Sequence, residues 1–157
     1  MSDSTRSAAA LLVDCLAVQG CERIFTVPGE SFLAVLDALP DRPQIDVVTC
    51  RQEGGVTNMA DAYGKLTGQP GIAFVTRGPG ATNGSIGVHT AFQDSTPMIL
   101  FIGQVGNDVV EREAFQEIDY RRMFGPMAKW VAQIDRADRV AEFISHAFHV
   151  ATSGRPG

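Results

Sequence analysis

The sequence has few cysteines, and they are too scattered to suggest a disulfide framework or a zinc site. Cys15, Cys21 and Cys50 are odd in number, no C-x-x-C pair occurs, and no histidine stands beside them at ligand spacing. The sequence therefore predicts no metal site within the chain. Free cysteines are typical of proteins in a reducing compartment, so we expect the protein to be cytoplasmic.

The chain also lacks an excess of basic residues and a long apolar run. Its 13 Lys and Arg are outnumbered by 18 Asp and Glu, which gives a net charge of −5. Nucleic acids and anionic membranes both require a basic patch, so we expect neither as the main partner. No segment approaches the ~18 consecutive apolar residues that span a bilayer. The run from Ala8 to Val13 is broken by Asp14, which favours a helix over a signal peptide.

What the sequence does have is a regular alternation of strand and helix patterns. Short apolar strands are predicted at 23–27, 45–50, 71–76 and 98–103. Helices are predicted around them at 9–16, 32–39, 54–66, the stretch ending near 94, and 140–150. Ser31 is the predicted N-cap of the second helix. This order predicts a single α/β domain over residues 1–157, with three α/β/α layers and a central parallel sheet.

The residues best placed for chemistry follow the predicted strands, because ligands of such sheets bind at the carboxyl ends of the strands. Four segments rich in glycine, proline and polar residues lie there: 27–30, 51–55, 76–83 and 103–105. A dinucleotide fingerprint at 78–83 is disfavoured, because Asn83 stands where a third glycine is needed. Glu53 is the better candidate, although a glutamate in a first helical turn also simply favours the helix dipole.

The sequence resembles the amino-terminal domain of acetolactate synthases and related thiamine-diphosphate enzymes from about Ala8 onward. The main match is RQEGGVTNMADAYGKLTGQPGIAFVTRGPGATNGSIGVHTAFQDSTPMILFIGQV, and the flanking PGE, AFQEID and SGRPG match in order and spacing. The resemblance implies the thiamine-diphosphate-binding fold. It further implies that this domain binds the pyrimidine half of the cofactor.

Residue roles follow from the resemblance position by position. Glu53 corresponds to the glutamate that hydrogen-bonds the pyrimidine nitrogen and so activates the cofactor. Pro79 and Asn83 correspond to residues that line the pyrimidine pocket, and Pro28 and Gly29 to the turn facing it. The resemblance also implies a role near the substrate for two further residues, Phe115 and Gln116. The same prolines and Gly29 would be equally expected in tight turns without any ligand.

Two positions depart from the pattern. Acetolactate synthases usually carry histidine where this chain has Gln52, and glycine where it has Glu30. Both positions are close to the family's active site, so the departures bear on the substrate more than on cofactor activation. Unlike histidine, glutamine cannot titrate near neutral pH.

The implied activity is decarboxylation of a pyruvate-like 2-oxo acid, followed by ligation of the product to a second carbonyl compound. Two alternatives remain open: a 2-oxo-acid decarboxylase that does not ligate, and a non-catalytic regulatory module. The family holds Mg²⁺ and the diphosphate on a G-D-G…N-N segment that is absent here, so we expect the chain to be truncated and inactive alone. Some relatives bind FAD through a further domain, which these residues do not indicate. We expect a homodimer or higher homo-oligomer.

Overall fold

Four short strands form the centre of the fold, and all of them run parallel. In the computed structural model, which describes residues 5–157, β1 spans Arg23–Thr26, β2 Asp46–Thr49, β3 Gly71–Val75 and β4 Met98–Ile102. The strand order is β2-β1-β3-β4, so β1 pairs with both β2 and β3. This arrangement confirms the parallel sheet predicted from the sequence.

Helices cover both faces of the sheet, which confirms the three-layer prediction. They are α1 (Ala8–Val18), α2 (Leu33–Ala38), α3 (Glu53–Thr67), α4 (Pro79–Asp94), α5 (Tyr120–Phe124) and α6 (Val140–Thr152). On one face, α1, α2 and α6 pack Leu16, Val35 and Ile144 into one apolar cluster. On the other, α3, α4 and α5 contribute to a second cluster that includes Val56 and Phe124.

The predicted N-cap of the second helix is wrong. A short 3-10 turn, Glu30–Phe32, precedes α2, and Phe32 stands at the cap position without a side-chain hydrogen bond. The Ser31 hydroxyl instead lies 2.8 Å from Thr76 Oγ1 and accepts a 3.3 Å hydrogen bond from the Arg77 backbone N–H. The serine therefore connects the turn after β1 to the end of β3.

The predicted apolar face of α3 is only partly buried. Val56 and Ala60 are fully buried, whereas Met59 is 42% exposed and Leu66 is 87% exposed. The buried face of α3 differs from the predicted face because the helix packs on α4 as well as on the sheet. A Cβ at Gly87 of α4 would lie 2.4 Å from Thr57 Oγ1, so only a glycine allows this close approach of the two helices.

The outer strand β4 borders an apolar groove of about 580 Å³. Its walls include Leu100 and Phe101 of β4, Trp130 and Val131 of the following segment, and Phe143 of α6. Neither Glu53 nor Asn83 is among the residues that line it, so this groove is separate from the candidate chemistry. Among residues 5–157, none of the helices has both the length and the apolar character needed to cross a membrane.

Candidate functional site

Glu53 begins α3 directly after the turn that follows β2. It is half-buried, and its Oε2 accepts a 3.0 Å hydrogen bond from Asn83 Nδ2 of α4. Its other carboxylate oxygen, Oε1, accepts no hydrogen bond from residues 5–157. One oxygen is therefore fixed by the protein, while the other remains free for a ligand.

Glycine at position 80 keeps the space beside this free oxygen open. A Cβ built on Gly80 would lie 3.5 Å from Glu53 Oε1 and 2.8 Å from Thr76 Cγ2. A side chain there would clash with the threonine and fill the volume next to the carboxylate. The GPG turn thus places no side-chain atom of its own next to Glu53 Oε1, and this position beside the carboxylate is called the recess below.

The turn after β1 approaches the same place from the other side. A Cβ on Gly29 would lie 2.5 Å from Thr76 Cβ, so this position also requires glycine. Its φ of −146° is ordinary extended backbone, and the requirement comes from the close contact alone. Pro28 precedes it and is exposed. Thr76 therefore packs between the two predicted cofactor-binding turns.

Pro79 and Asn83 share one face of α4, being four residues apart in the helix. Pro79 is the first helical residue, where its missing N–H removes no hydrogen bond. The preceding Gly78 has a φ of +58°, which suits glycine and allows the sharp entry into the helix. The structure thus brings four of the predicted residues, Pro79 and Asn83 together with Glu53 and Gly29, around Thr76 and the recess.

Phe115 and Gln116 lie in the long loop between β4 and α5, and this loop contacts the GPG turn. A Cβ at Gly78 would lie 2.7 Å from Gln116 Cβ, so the two segments touch. Gln116 itself has a φ of +62°, which is strained for a residue with a side chain. Phe115 is 71% exposed, and its ring is therefore largely uncovered by the rest of this chain.

Specific hydrogen bonds hold this long loop in place. The Glu117 carboxylate accepts hydrogen bonds from the backbone N–H groups of Glu111, at 2.6 Å, and Ala114, at 3.0 Å. These two bonds lower the pKa of Glu117. The Tyr120 hydroxyl accepts a 2.8 Å hydrogen bond from the Gly78 backbone N–H, and burial raises the pKa of this tyrosine.

Sequence reasoning missed the capping role of Gln52 and the place of Arg77 in the site. Gln52 is the N-cap of α3, because its Oε1 accepts a 3.1 Å hydrogen bond from the Gly55 backbone N–H. Arg77 follows Thr76, is 13% exposed at its side chain, and donates from Nε to the Phe115 carbonyl at 2.9 Å. Its place just after β3 was a usable signal, since strand ends of this kind collect ligand-binding groups.

No group of three or more metal-binding side chains is brought together within residues 5–157. Glu53 is therefore not part of such a group in this part of the chain.

Comparisons with known proteins agree on one family. The model of the thiamine pyrophosphate enzyme N-terminal TPP binding domain matches residues 6–123. The acetolactate synthase large subunit of Buchnera aphidicola is 38% identical over 96% of this chain and 26% of its own length. The isozyme 3 large subunit from Escherichia coli is 37% identical over the same shares, and the probable large subunit from Methanocaldococcus jannaschii is 38% identical over 95% and 25%. The chain spans about a quarter of the length of these relatives.

Proposed function

Since the chain belongs to the thiamine pyrophosphate enzymes, of which it represents the N-terminal TPP binding domain, we propose that Glu53 activates thiamine diphosphate in an acetolactate-synthase-like enzyme. The observation that carries the proposal is the asymmetric environment of the glutamate. Asn83 holds Oε2, while Oε1 is free beside the recess at Gly80. A carboxylate held in this way can present one oxygen to a ring nitrogen at a defined angle.

The residues around the recess fit an aminopyrimidine ring. The ring is flat, which suits a space bounded by a glycine turn, and its nitrogen is a hydrogen-bond partner for Glu53 Oε1. Pro79 and Asn83, on the same face of α4, and the Pro28–Gly29 turn are the other residues that would hold it. The missing Cβ of Gly80 is essential to this fit, because a side chain would occupy the position nearest Oε1.

In the proposed mechanism the protein contributes acid–base control from a fixed carboxyl group. When bound, thiamine diphosphate would supply a nucleophilic thiazolium carbon and a cationic ring that serves as the electron sink for decarboxylation. Glu53 holds a proton at Oε1 and shares it with the ring nitrogen, which is how the carboxyl group promotes activation. Asn83 keeps Oε2 hydrogen-bonded, so the carboxyl group does not rotate away during the exchange.

We propose that the complete enzyme decarboxylates a pyruvate-like 2-oxo acid and ligates the product to a second carbonyl compound. Phe115 and Gln116 are the residues proposed to contact the substrate, because their loop adjoins the GPG turn. Acetolactate synthase is the name of several relatives that match nearly all of this chain, and this similarity favours ligation. A non-catalytic module is disfavoured, because it would not require an open carboxylate recess.

A plain 2-oxo-acid decarboxylase is the second candidate, and one observation favours it. Gln52 and Glu30 replace the histidine and glycine usual in acetolactate synthases, and Glu30 approaches Arg77 to 4.0 Å. These two replacements change the charge of the part of the site that is proposed to face the substrate, while Glu53 and Asn83 are retained. They are therefore compatible with retained cofactor activation and a different fate for the product.

Other parts of the complete protein are proposed to supply what this chain does not hold. Mg²⁺, which would hold the diphosphate, requires a cluster of oxygen ligands. Residues 5–157 bring no group of three or more metal-binding side chains together. We propose that another domain, from a partner subunit in a homodimer or higher homo-oligomer, faces Glu53 and binds Mg²⁺ and the diphosphate. Nothing in the described residues calls for FAD.

Product analysis tests the proposal. The complete enzyme is supplied with thiamine diphosphate, Mg²⁺ and pyruvate alone, and acetolactate and acetaldehyde are quantified. Acetolactate as the main product supports the ligating enzyme, and acetaldehyde supports the decarboxylase. If no carbon dioxide is released from pyruvate or from a panel of other 2-oxo acids, both forms of the proposal fail.

A further inference from the structure

Arg77 lies at the entrance to the candidate site and is held there by the loop that carries the proposed substrate residues. Its Nε donates a 2.9 Å hydrogen bond to the Phe115 carbonyl, and its Cζ lies 5.8 Å from the centre of the Phe115 ring. The side chain is 13% exposed. A guanidinium group fixed in this way points in a defined direction and loses little further freedom when a ligand binds.

The positive charge of Arg77 is poorly compensated within residues 5–157. Glu30 is the acid nearest to its guanidinium, with 4.0 Å between Nη2 and Oε2, and the glutamate is 80% exposed. An ion pair at this distance with an exposed partner contributes little. Only Nε–H makes a hydrogen bond to this part of the chain, which leaves the Nη1 and Nη2 donors free.

A largely buried cation with free donors is costly unless an anion pairs with it. The two outer nitrogens of a guanidinium match the two oxygens of a carboxylate, so a carboxylate is the anion that fits best. Arg77 also adjoins Gly78 of the GPG turn, and the recess beside Glu53 lies three residues further at Gly80. The anion-binding position and the candidate cofactor position are therefore parts of one turn.

We propose that Arg77 is a specificity-determining residue that binds a carboxylate which survives the reaction. The inference rests on the proposed function. The carboxylate that leaves as carbon dioxide loses its charge in the transition state, so a cation fixed on it would stabilise the ground state and slow the reaction. The retained carboxylate has two sources: a distal acid group on the 2-oxo acid that is decarboxylated, or the acid group of a 2-oxo acid that accepts the product.

The chemistry of the pair also assigns a role to Glu30. In the free enzyme Glu30 is the acid nearest to the guanidinium, and an incoming carboxylate competes with it. Removal of this charge by Glu30→Gln is therefore expected to strengthen binding of acidic substrates. The opposite effect is expected at Arg77, where Arg77→Met removes the donors and Arg77→Lys keeps the charge but loses the planar fork.

The test uses the complete enzyme with thiamine diphosphate and Mg²⁺. Two donors are compared, pyruvate and 2-oxoglutarate, and two acceptors, pyruvate and benzaldehyde. Arg77→Met is expected to lower kcat/KM by about 10- to 100-fold for the reaction partner that carries the retained carboxylate, mainly through KM. Arg77→Lys is expected to lose less. Arg112→Met is the matched control, because Arg112 is exposed and its side chain makes no hydrogen bond to residues 5–157.

Each pattern of loss has a separate meaning. A loss confined to 2-oxoglutarate as donor assigns Arg77 to a distal acid group, and a loss confined to pyruvate as acceptor assigns it to the acceptor. An equal loss for every donor and acceptor overturns the proposal, because Arg77 would then act only by positioning the loop at Phe115. The proposal is also overturned if the wild-type enzyme shows no preference for donors or acceptors that carry a retained carboxylate.

A binding measurement separates this inference from the proposed function. Glutarate carries two carboxylates and has no 2-oxo group to react, so its affinity can be measured by calorimetry whether or not the enzyme turns over any 2-oxo acid. Wild-type binding that weakens about 10-fold or more in Arg77→Met supports the carboxylate site. Equal affinities, or no binding to wild type, overturn it even if decarboxylation is observed.

Discussion

Asn83 Nδ2 donates a 3.0 Å hydrogen bond to Glu53 Oε2, which joins two residues that are 30 positions apart in the chain. The contact depends on the close packing of α3 on α4, because Asn83 is the fifth residue of its helix and Glu53 is the first residue of the other. The packing of two helices therefore determines which carboxylate oxygen is left for a ligand. Substitutions of this pair can separate the proposed proton-carrying role of Glu53 from its orientation by Asn83.

Glu53→Gln in the complete enzyme is expected to retain the fold and nearly abolish turnover. An amide cannot exchange a proton with a ring nitrogen as a carboxyl group does, so exchange of the thiazolium proton should slow by roughly 10²- to 10⁴-fold. Proton exchange followed by NMR measures this step without a substrate. Glu22→Gln, at an exposed position before β1, serves as the control. Exchange at the wild-type rate in Glu53→Gln would contradict the assignment.

Asn83→Ala should be less damaging than Glu53→Gln. The carboxyl group remains, but Oε2 loses its partner and the side chain is free to rotate. We expect a loss of roughly 10-fold in the exchange rate, in line with one hydrogen bond to a charged group. Asn58→Ala is a suitable control, since Asn58 is exposed on α3 and makes no side-chain hydrogen bond within residues 5–157. A loss as large as that of Glu53→Gln would show that Asn83 has a role of its own.

The layer architecture could be predicted from the sequence because it depends on local patterns. Runs such as Gly71–Val75, which is buried throughout, have the composition of a central parallel strand. Glycine and proline after β1 and β3, and glycine after β4, placed those three turns correctly, and the family resemblance pointed to Glu53. The fold and the main candidate residue could therefore be predicted from the sequence alone.

The contacts between distant segments were not accessible in the same way. Ser31 has the composition of a helix cap, yet its hydroxyl bonds to Thr76 because the turn after β1 reaches the end of β3. The pairing of Arg77 with Phe115 could not be predicted for the same reason, since the two residues are 38 positions apart. Such pairings depend on the three-dimensional path of loops, and nothing in the local sequence specifies them.

The packing of α3 on α4 predicts opposite effects for two glycine substitutions. Gly87→Ala would place a Cβ 2.4 Å from Thr57 Oγ1 and 2.6 Å from its backbone carbon, so we expect a loss of about 1–3 kcal/mol in the free energy of unfolding. At Gly55 a Cβ meets nothing within 4 Å, and Gly55→Ala should stabilise the helix by about 0.5–1 kcal/mol. Urea unfolding of the 157-residue chain measures both. Equal effects of the two substitutions would contradict the packing.

Acidification should release the loop that carries Phe115 and Gln116. Hydrogen bonds from the N–H groups of Glu111 and Ala114 lower the pKa of Glu117 below its ordinary value of 4.5. A lowered pKa in the folded state means that the contribution to stability is complete above pH 4.5 and is lost as the pH falls through the lowered pKa. Amide NMR shifts of Glu111 and Ala114 should therefore titrate below pH 4.5.

Glu117→Gln provides the control for this titration. Glutamine has one carbonyl oxygen in place of two carboxylate oxygens, so it cannot accept both hydrogen bonds equally and has no charge to lose. The two amides should then show weaker protection at neutral pH and no titration between pH 5 and pH 3. A wild-type titration at or above 4.5 would indicate that the loop does not hold Glu117 in solution.

The last prediction concerns self-association through α3 and α4. The apolar residues of these helices that are candidates for facing another copy of the chain are Val56, Met59, Tyr63, Ile86 and Val88, and glycines of both helices would allow close approach. The fold removes some of these from consideration. Val56 is fully buried, and Tyr63 packs edge-on against Phe25. Gly84 and Gly87 leave room for the Thr57 side chain of the same chain.

Of these candidate residues, Met59 is 42% exposed and Ile86 is 60% exposed, so both remain available for an interface. An exposed apolar surface beside a half-formed site is the expected place for a symmetric partner, since closed twofold pairs are the commonest oligomers. Ile86→Glu should therefore shift the complete enzyme toward monomers in sedimentation at micromolar concentration, because it buries a charge in the interface. Val18→Glu, at an 85% exposed position of α1, should leave the dimer intact. If both variants sediment like wild type, these helices lie outside the interface and the partner domain must approach Glu53 from another direction.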